Sequence, residues 1–385
     1  MPEPNLPQGL LNFLSPKLPQ MLATLRRFVA AESPSLEKAA ADRCCALIAA
    51  VWKKRGAKVE RLAQKQRGDH LRITWQSQKS PAPGQLLILG HYDTVYATGT
   101  LPRMPFRFSA GKAYGPGTFD MKGGIVQALF ALDALQHSAP PIAKRLIFLW
   151  TSDEEIGSES SRKLIESEAR RSDAVFVLEP SLGSRGSLKT SRKGVGEAEI
   201  IVHGRASHAG LAPEQGVNAI HELALQLARI KTWNNSRQGV TVNAGIIEGG
   251  TRVNVIPETA RAVVDLRASK IVDMRVLERR FRALRPILPG ARLAIRGGFN
   301  RAPMERNVSA ALFLRAKSLA REMGMHLGEC AAGGGSDGNL TAALGVPTLD
   351  GLGAVGDGAH SAHEYILINT MPQRAALLAA LLAST

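Results

Sequence analysis

Apolar positions along the chain follow two rhythms. Between residues 18 and 52 they recur mostly at helical intervals, interrupted near Ser33 and Pro34, which predicts two N-terminal helices. Short, almost unbroken apolar runs follow at residues 86–90 (LLILG), 145–150 (RLIFLW) and 174–178 (AVFVL). Runs of this kind are expected of strands buried on both faces of a parallel sheet. Each ends in acid or imidazole: His91, Tyr92 and Asp93 after the first, TSDEE after the second, Glu179 and Pro180 at the end of the third. A helix over about residues 122–137 supplies the crossover that parallel strands need. Ligands of open α/β sheets gather outside the carboxyl ends of the strands, so the three strands aim their polar ends at one place.

From residue 193 to 304 the pattern becomes strand, helix, strand, strand, helix, strand, the ferredoxin-like order. The elements are EAEIIVHG, a helix starting near Pro213, GVTVNAGII, ETARAVVDL, a basic helix from about Ile271, and ARLAIR. A chain of 385 residues exceeds one ordinary hydrophobic core. The expected organisation is therefore an α/β catalytic domain in two parts, residues 1–192 and 305–385, interrupted by an inserted α+β domain at 193–304. A helix over 310–323, the glycine-rich GGGSDGNL and the apolar VPTLDGLG complete the second part.

Composition narrows the function classes. With 44% hydrophobic and 21% charged residues the chain lies in the ordinary globular range, and no apolar stretch is long enough for a bilayer span. The first residues, MPEPNLPQGLLNFL, lack a basic segment ahead of an apolar core, so the expected location is cytoplasmic. Cys44, Cys45 and Cys330 show no CxxC spacing and read as packing residues. The net charge of +16 would draw polyanions non-specifically and would also concentrate a carboxylate-bearing substrate. Arg275, Arg279, Arg280, Arg282 and Arg285 follow helical spacing, with Val276, Leu277, Phe281 and Leu284 as an apolar face. No aromatic series or nucleic-acid motif accompanies them, so the run reads as a solvated helix face, and nucleic-acid binding is only a remote alternative.

Candidate chemistry sits at the strand exits: His91 in HYDTV, Asp120 in GTFDMKGG, Glu154 and Glu155 in TSDEEIG, Glu179 in LEP, and His360 in GAHSAHEY. Catalytic zinc takes His nitrogen and carboxylate oxygen, and two metals about 4 Å apart require a carboxylate able to bridge them. These motifs, together with GRASHAG and NVIPETARAVVDLRA, resemble the successive motifs of the M20 metallopeptidases. That group includes glutamate carboxypeptidases, aminoacylases and succinyl-diaminopimelate desuccinylases. The resemblance runs from about Gly90 to the C-terminus, and RASHAGLAPEQGVNAI and GGGSDG are most similar to the bacterial glutamate carboxypeptidase branch.

The resemblance implies a zinc-exopeptidase-like catalytic domain, with a mixed, mainly parallel sheet, and an inserted lid that also forms a homodimer. It makes Asp120 the bridging carboxylate, His91 and Glu179 the ligands of one zinc, and Glu155 and His360 those of the other. Two cations sharing a carboxylate would lower the pKa of a bound water to about 7. Glu154 is then the general base, because adjacent acids can point in different directions and divide the roles of base and ligand. Asp93 can accept the second imidazole N–H of His91. By the same resemblance, the Asp120–Met121 peptide is cis, His208 stabilises the oxyanion from across the dimer, and Asn254 and Arg267 contact substrate, with Arg301 an additional candidate. His203, nearby, is given a structural role. His363 competes with His360, but the family ligand precedes Ser and stands four residues before the Glu of the Glu-Tyr pair, Glu364, which selects His360. Residues 333–335 either let backbone approach the site closely or form a flexible turn.

The function expected is a carboxypeptidase that releases a C-terminal amino acid, with glutamate the first candidate, from small peptides or N-acyl amino acids bearing a free carboxylate. A deacylase removing acetyl or succinyl groups shares every catalytic residue and is the alternative. Cobalt or manganese could replace zinc in such a site. No membrane or specific nucleic acid is expected as a partner.

Overall fold

The computed structural model describes residues 5–77, 84–138, 142 and 144–385. It divides into two compact units, one comprising Met1–Ser191, Arg306–Ala331 and Ser336–Thr385, the other Arg192–Glu305 and Ala332–Gly335.

The first unit is built on a six-stranded sheet in the order Lys58–Leu62, His70–Trp75, Arg145–Thr151, Gln85–His91, Ala174–Val177, Thr348–Leu349. The last four are mutually parallel, and His70–Trp75 runs antiparallel to both its neighbours, giving a mixed, mainly parallel sheet. The apolar runs are unbroken because both faces are covered. Leu86, Ile88, Phe148 and Trp150 enter the large core under the N-terminal helices, while Leu87, Leu89, Ile147 and Leu149 enter a smaller core with Ile165 and Ala169 of the helix Arg162–Arg170. A two-residue period thus sorts one strand between two cores. The crossover helix Gly123–Ser138 has no polar face of its own, being buried on nearly every side and packed against the apolar C-terminal helix Met371–Ser384.

Three N-terminal helices stand where two were expected: Leu6–Leu14, Leu18–Ala30 and Lys38–Lys53. The additional one starts on Asn5, whose side chain accepts the Gln8 N–H at 3.0 Å, with proline in the first turn. Cys44 and Cys45 are buried in the third helix. Cys330 is only partly buried, and its thiol donates to the Leu188 carbonyl at 3.4 Å.

The second unit is a four-stranded antiparallel sheet in the order Thr241–Gly249, Thr259–Ala268, Gly194–His203, Arg292–Arg301, with the helices Ala219–Lys231 and Ile271–Arg282 closing its core. The first helix begins six residues later than Pro213, because Asn218 caps it through the His221 N–H at 3.0 Å while Pro213–Gln215 forms a separate turn. In the second, Leu277 and Phe281 are buried, and Arg275, Arg279, Arg280 and Arg282 face solvent. Among the described residues no helix is long and apolar enough to cross a membrane.

Candidate metal centre

The strand Gln85–His91 delivers His91 at its last position, and the adjacent parallel strand runs into the turn Glu154–Ile156. His91 Nε2 lies 3.3 Å from Asp120 Oδ1 and 3.5 Å from Glu179 Oε1. His360 Nε2 lies 3.4 Å from Asp120 Oδ2 and 3.0 Å from Glu155 Oε2. Two sets of potential ligands result, His91–Asp120–Glu179 and Asp120–Glu155–His360, the ligand atoms of each lying within 4.8 Å of one another. Asp120 belongs to both, one oxygen facing each imidazole. It sits in the distorted turn Thr118–Lys122, where the Asp120–Met121 peptide is cis, directly ahead of the crossover helix. His360 adopts φ +61° in a tight turn, whereas the His363 ring lies against Ser361 at 3.2 Å.

Electrostatics match a cation site. Burial opposes a charge on His91, yet Asp120, Asp93 and Glu179 hold its pKa well above the ordinary imidazole value. His360 is pushed up to about 10, first by Asp120 and then by Glu155. Burial alone would raise the Asp120 carboxyl, but His360 and His91 hold it below the usual carboxylate range, and burial raises Glu155. The converging carboxylates of Asp120, Glu155 and Glu179 thus favour positive charge at the site. Glu155 Oε1 is a buried oxygen without a hydrogen-bond partner among the described residues, as an oxygen reserved for a metal would be. The donor set of two imidazoles and three carboxylates fits a pair of divalent transition metals.

Supporting contacts surround the ligands. His91 Nδ1 lies 3.1 Å from the Asp93 carbonyl and 3.4 Å from its carboxylate, which also receives Ser35 Oγ and the N–H groups of Glu154 and Glu155. Asp93 therefore orients a ligand and the base-bearing turn together. Sequence reasoning missed Lys122, whose buried ammonium donates to the carbonyls of Phe28 at 3.0 Å and Ala31 at 2.9 Å and so ties down the Asp120 turn. It also missed the buried bond from Ser158 to Asp337, joining the TSDEE and GGGSDG segments. The only available signal was the position of these residues inside motifs.

His208, Asn254, Arg267 and Arg301 all lie in the second unit. His208 is exposed, and its Nδ1 accepts the N–H groups of Gly210 and Leu211 at 3.1 Å each, which leaves Nε2 to carry the proton. Asn254 is exposed, and its carbonyl accepts the Ala209 N–H at 2.9 Å. Arg267 is bidentate to Asp265, with contacts between 2.9 and 3.1 Å. Arg301 is buried at the end of its strand. His203 ends the strand Gly194–His203. A Cβ added at Gly333 or Gly334 would meet no other residue within 4 Å. The Arg192 guanidinium holds the carbonyls of Gly334 and Gly335 at 3.1 and 3.3 Å.

Comparison with known proteins places this geometry. The model of peptidase family M20/M25/M40 matches residues 87–384. Carboxypeptidase G2 of Pseudomonas sp. (strain RS-16) is 34% identical over 308 residues, spanning 77% of this chain and 73% of that protein. The crystal structure of aminopeptidase PepT from Bacillus cereus superposes with a TM-score of 0.77 at 21% identity, covering 95% of this chain and 98% of that one. YXEP of Bacillus subtilis, described as a dinuclear metal binding peptidase of the M20 family, gives a TM-score of 0.69 at 14% identity over 95% and 98% of the two chains.

Proposed function

The chain belongs to peptidase family M20/M25/M40, a family of metallopeptidases and amidohydrolases, and on that premise we propose that it is a dinuclear zinc carboxypeptidase. Its substrates are small peptides or N-acyl amino acids, and it releases a C-terminal amino acid, glutamate being the first candidate. The observation that carries the reading is Asp120, one carboxylate whose two oxygens face His91 on one side and His360 on the other. In this reading His91 and Glu179 would hold one zinc, Glu155 and His360 the second, and Asp120 would serve both. The zinc pair, when bound, acidifies water and polarises the scissile carbonyl.

The chain's own residues do the rest. Glu154 takes a proton from the attacking water and returns it to the amide nitrogen as the C–N bond breaks. Asp93 keeps the His91 ring oriented. With Nδ1 occupied as an acceptor, His208 presents Nε2–H as an oxyanion donor, a contribution of about 3 kcal/mol in comparable sites. Arg267 exchanges Asp265 for the substrate's terminal carboxylate, with Asn254 and Arg301 as further substrate contacts. The inserted unit acts as lid and as homodimer contact through the edge strand Thr241–Gly249, where Ile246 and Ile247 are 49% and 59% exposed.

The test is hydrolysis of a matched acyl-amino-acid panel by metal-stripped protein reloaded with zinc, beside the Glu154→Ala variant. The reading expects zinc-restored release of C-terminal glutamate and a fall in kcat of about 10²–10⁴ in the variant, with its zinc content unchanged. Preference for short acyl groups on other amino acids would make the protein a deacylase. Inactivity across the panel with no bound metal would sink the mechanism.

A further inference from the structure

Glu364 stands four residues after His360, is fully buried, and turns its carboxylate to backbone. Oε1 accepts the N–H groups of Phe119 at 2.7 Å and Asp120 at 2.9 Å. Oε2 accepts the Gly117 N–H at 2.9 Å and the Tyr96 hydroxyl at 2.7 Å. Four donors thus converge on one carboxylate, and three of them belong to the turn that carries the shared ligand Asp120.

The same residue closes the turn that carries His360. Its N–H donates to the Ser361 carbonyl, Ser361 N–H donates to the Gly358 carbonyl, and the Tyr96 hydroxyl lies 3.0 Å from the Ser361 carbonyl. Two ligand-bearing segments, separated by 244 residues between Asp120 and Glu364, therefore meet on one side chain. A buried carboxylate is costly, and a residue needed only to fill space would be cheaper as an apolar side chain. What the carboxylate provides is acceptors for three N–H groups, those of Gly117, Phe119 and Asp120, in a turn whose Asp120 would serve two metals at once.

We propose that Glu364 is a positioning residue for the metal centre. It holds the Asp120 carboxylate between His91 and His360 and keeps the His360 turn in register with it. The proposal rests on the two-zinc reading above. A glutamine would fill the same space, but it offers one acceptor oxygen and would turn an NH2 group toward a backbone N–H.

The experiment compares wild type with Glu364→Gln, Glu364→Asp and Tyr96→Phe. Each metal-stripped protein is titrated with zinc against a competing chelator, and kcat and KM are measured on the substrate that wild type turns over. Glu364→Gln is expected to weaken zinc binding about 10- to 100-fold and to lower kcat comparably, with KM within about threefold of wild type. Glu364→Asp recovers part of the affinity because a carboxylate with two acceptor oxygens is kept. Tyr96→Phe shifts both quantities the same way by roughly two- to fivefold, the scale of one lost hydrogen bond. A folded Gln variant with wild-type zinc affinity overturns the proposal, even if its melting temperature falls. If the Gln variant does not fold, wild-type zinc affinity and kcat in Tyr96→Phe overturn it instead. Wild type that binds two zinc ions but hydrolyses nothing defeats the functional reading and leaves the zinc titration to decide Glu364. Wild type that binds no zinc overturns both.

Discussion

Replacing Arg374 by methionine tests how the Glu179 side of the site is held. Arg374 lies on the C-terminal helix, fully inside the protein, and its guanidinium donates to three buried carbonyls: Gly353 through Nε at 3.0 Å, Gly186 through Nη1 at 3.0 Å, and Gly351 through Nη2. Burial pushes its pKa down to about 10, below the ordinary guanidinium value. A depressed cation pKa is a cost that folding carries below about pH 10 and sheds above it, and at neutral pH it amounts to about 3 kcal/mol. Methionine removes that cost but strips three carbonyls of a donor, at about 1–3 kcal/mol each, roughly 6 in all. The balance is a destabilisation of about 3 kcal/mol, or a melting temperature lower by roughly 5 °C. Metal-stripped protein should be used, since bound zinc would stabilise both forms by mass action. The Gly353 N–H donates to the Glu179 carbonyl at 2.9 Å, so zinc affinity should fall in the same variant. An Arg374→Met protein as stable as wild type would refute the reasoning, because desolvation would then outweigh all three hydrogen bonds.

Further outcomes follow from the same geometry. Asp93→Asn should weaken zinc binding about 10- to 100-fold while leaving the overall fold intact, as read by chelator competition and circular dichroism. In metal-free protein the raised His360 pKa contributes stability that is fully present below pH 6.5 and lost as pH rises through about 10. Urea midpoints should therefore fall across that window without zinc and change less with it, since zinc binding requires the neutral imidazole. Ile247→Lys places a charge on the exposed edge strand and should shift sedimentation from dimer to monomer, whereas an unchanged sedimentation coefficient would remove that strand from the interface.

Much of the architecture was legible in local pattern. Residues 86–90, 145–150 and 174–178 announced buried parallel strands because unbroken Leu, Ile and Phe suit only a strand covered on both faces. The strands expected at EAEIIVHG and ETARAVVDL likewise form, as Gly194–His203 and Thr259–Ala268, with alternate residues buried. The start of the helix Leu6–Leu14 was also written locally, in Asn5 and Pro7, and was overlooked. Other features depended on chain segments that are neighbours only after folding. Nothing near residue 364 announces that its carboxylate will cap the turn at 117–120, and nothing near Arg374 announces three carbonyls from residues 186, 351 and 353. Whether Glu154 or Glu155 faces His360, and whether His360 or His363 faces Asp120, likewise hangs on backbone turns set by distant partners such as Asp93 and Glu364. Periodicity reports which side of an element is dry, since that depends on residues a few positions apart. Convergence of side chains from opposite ends of the chain depends on how elements stack, and only the tertiary structure decides it.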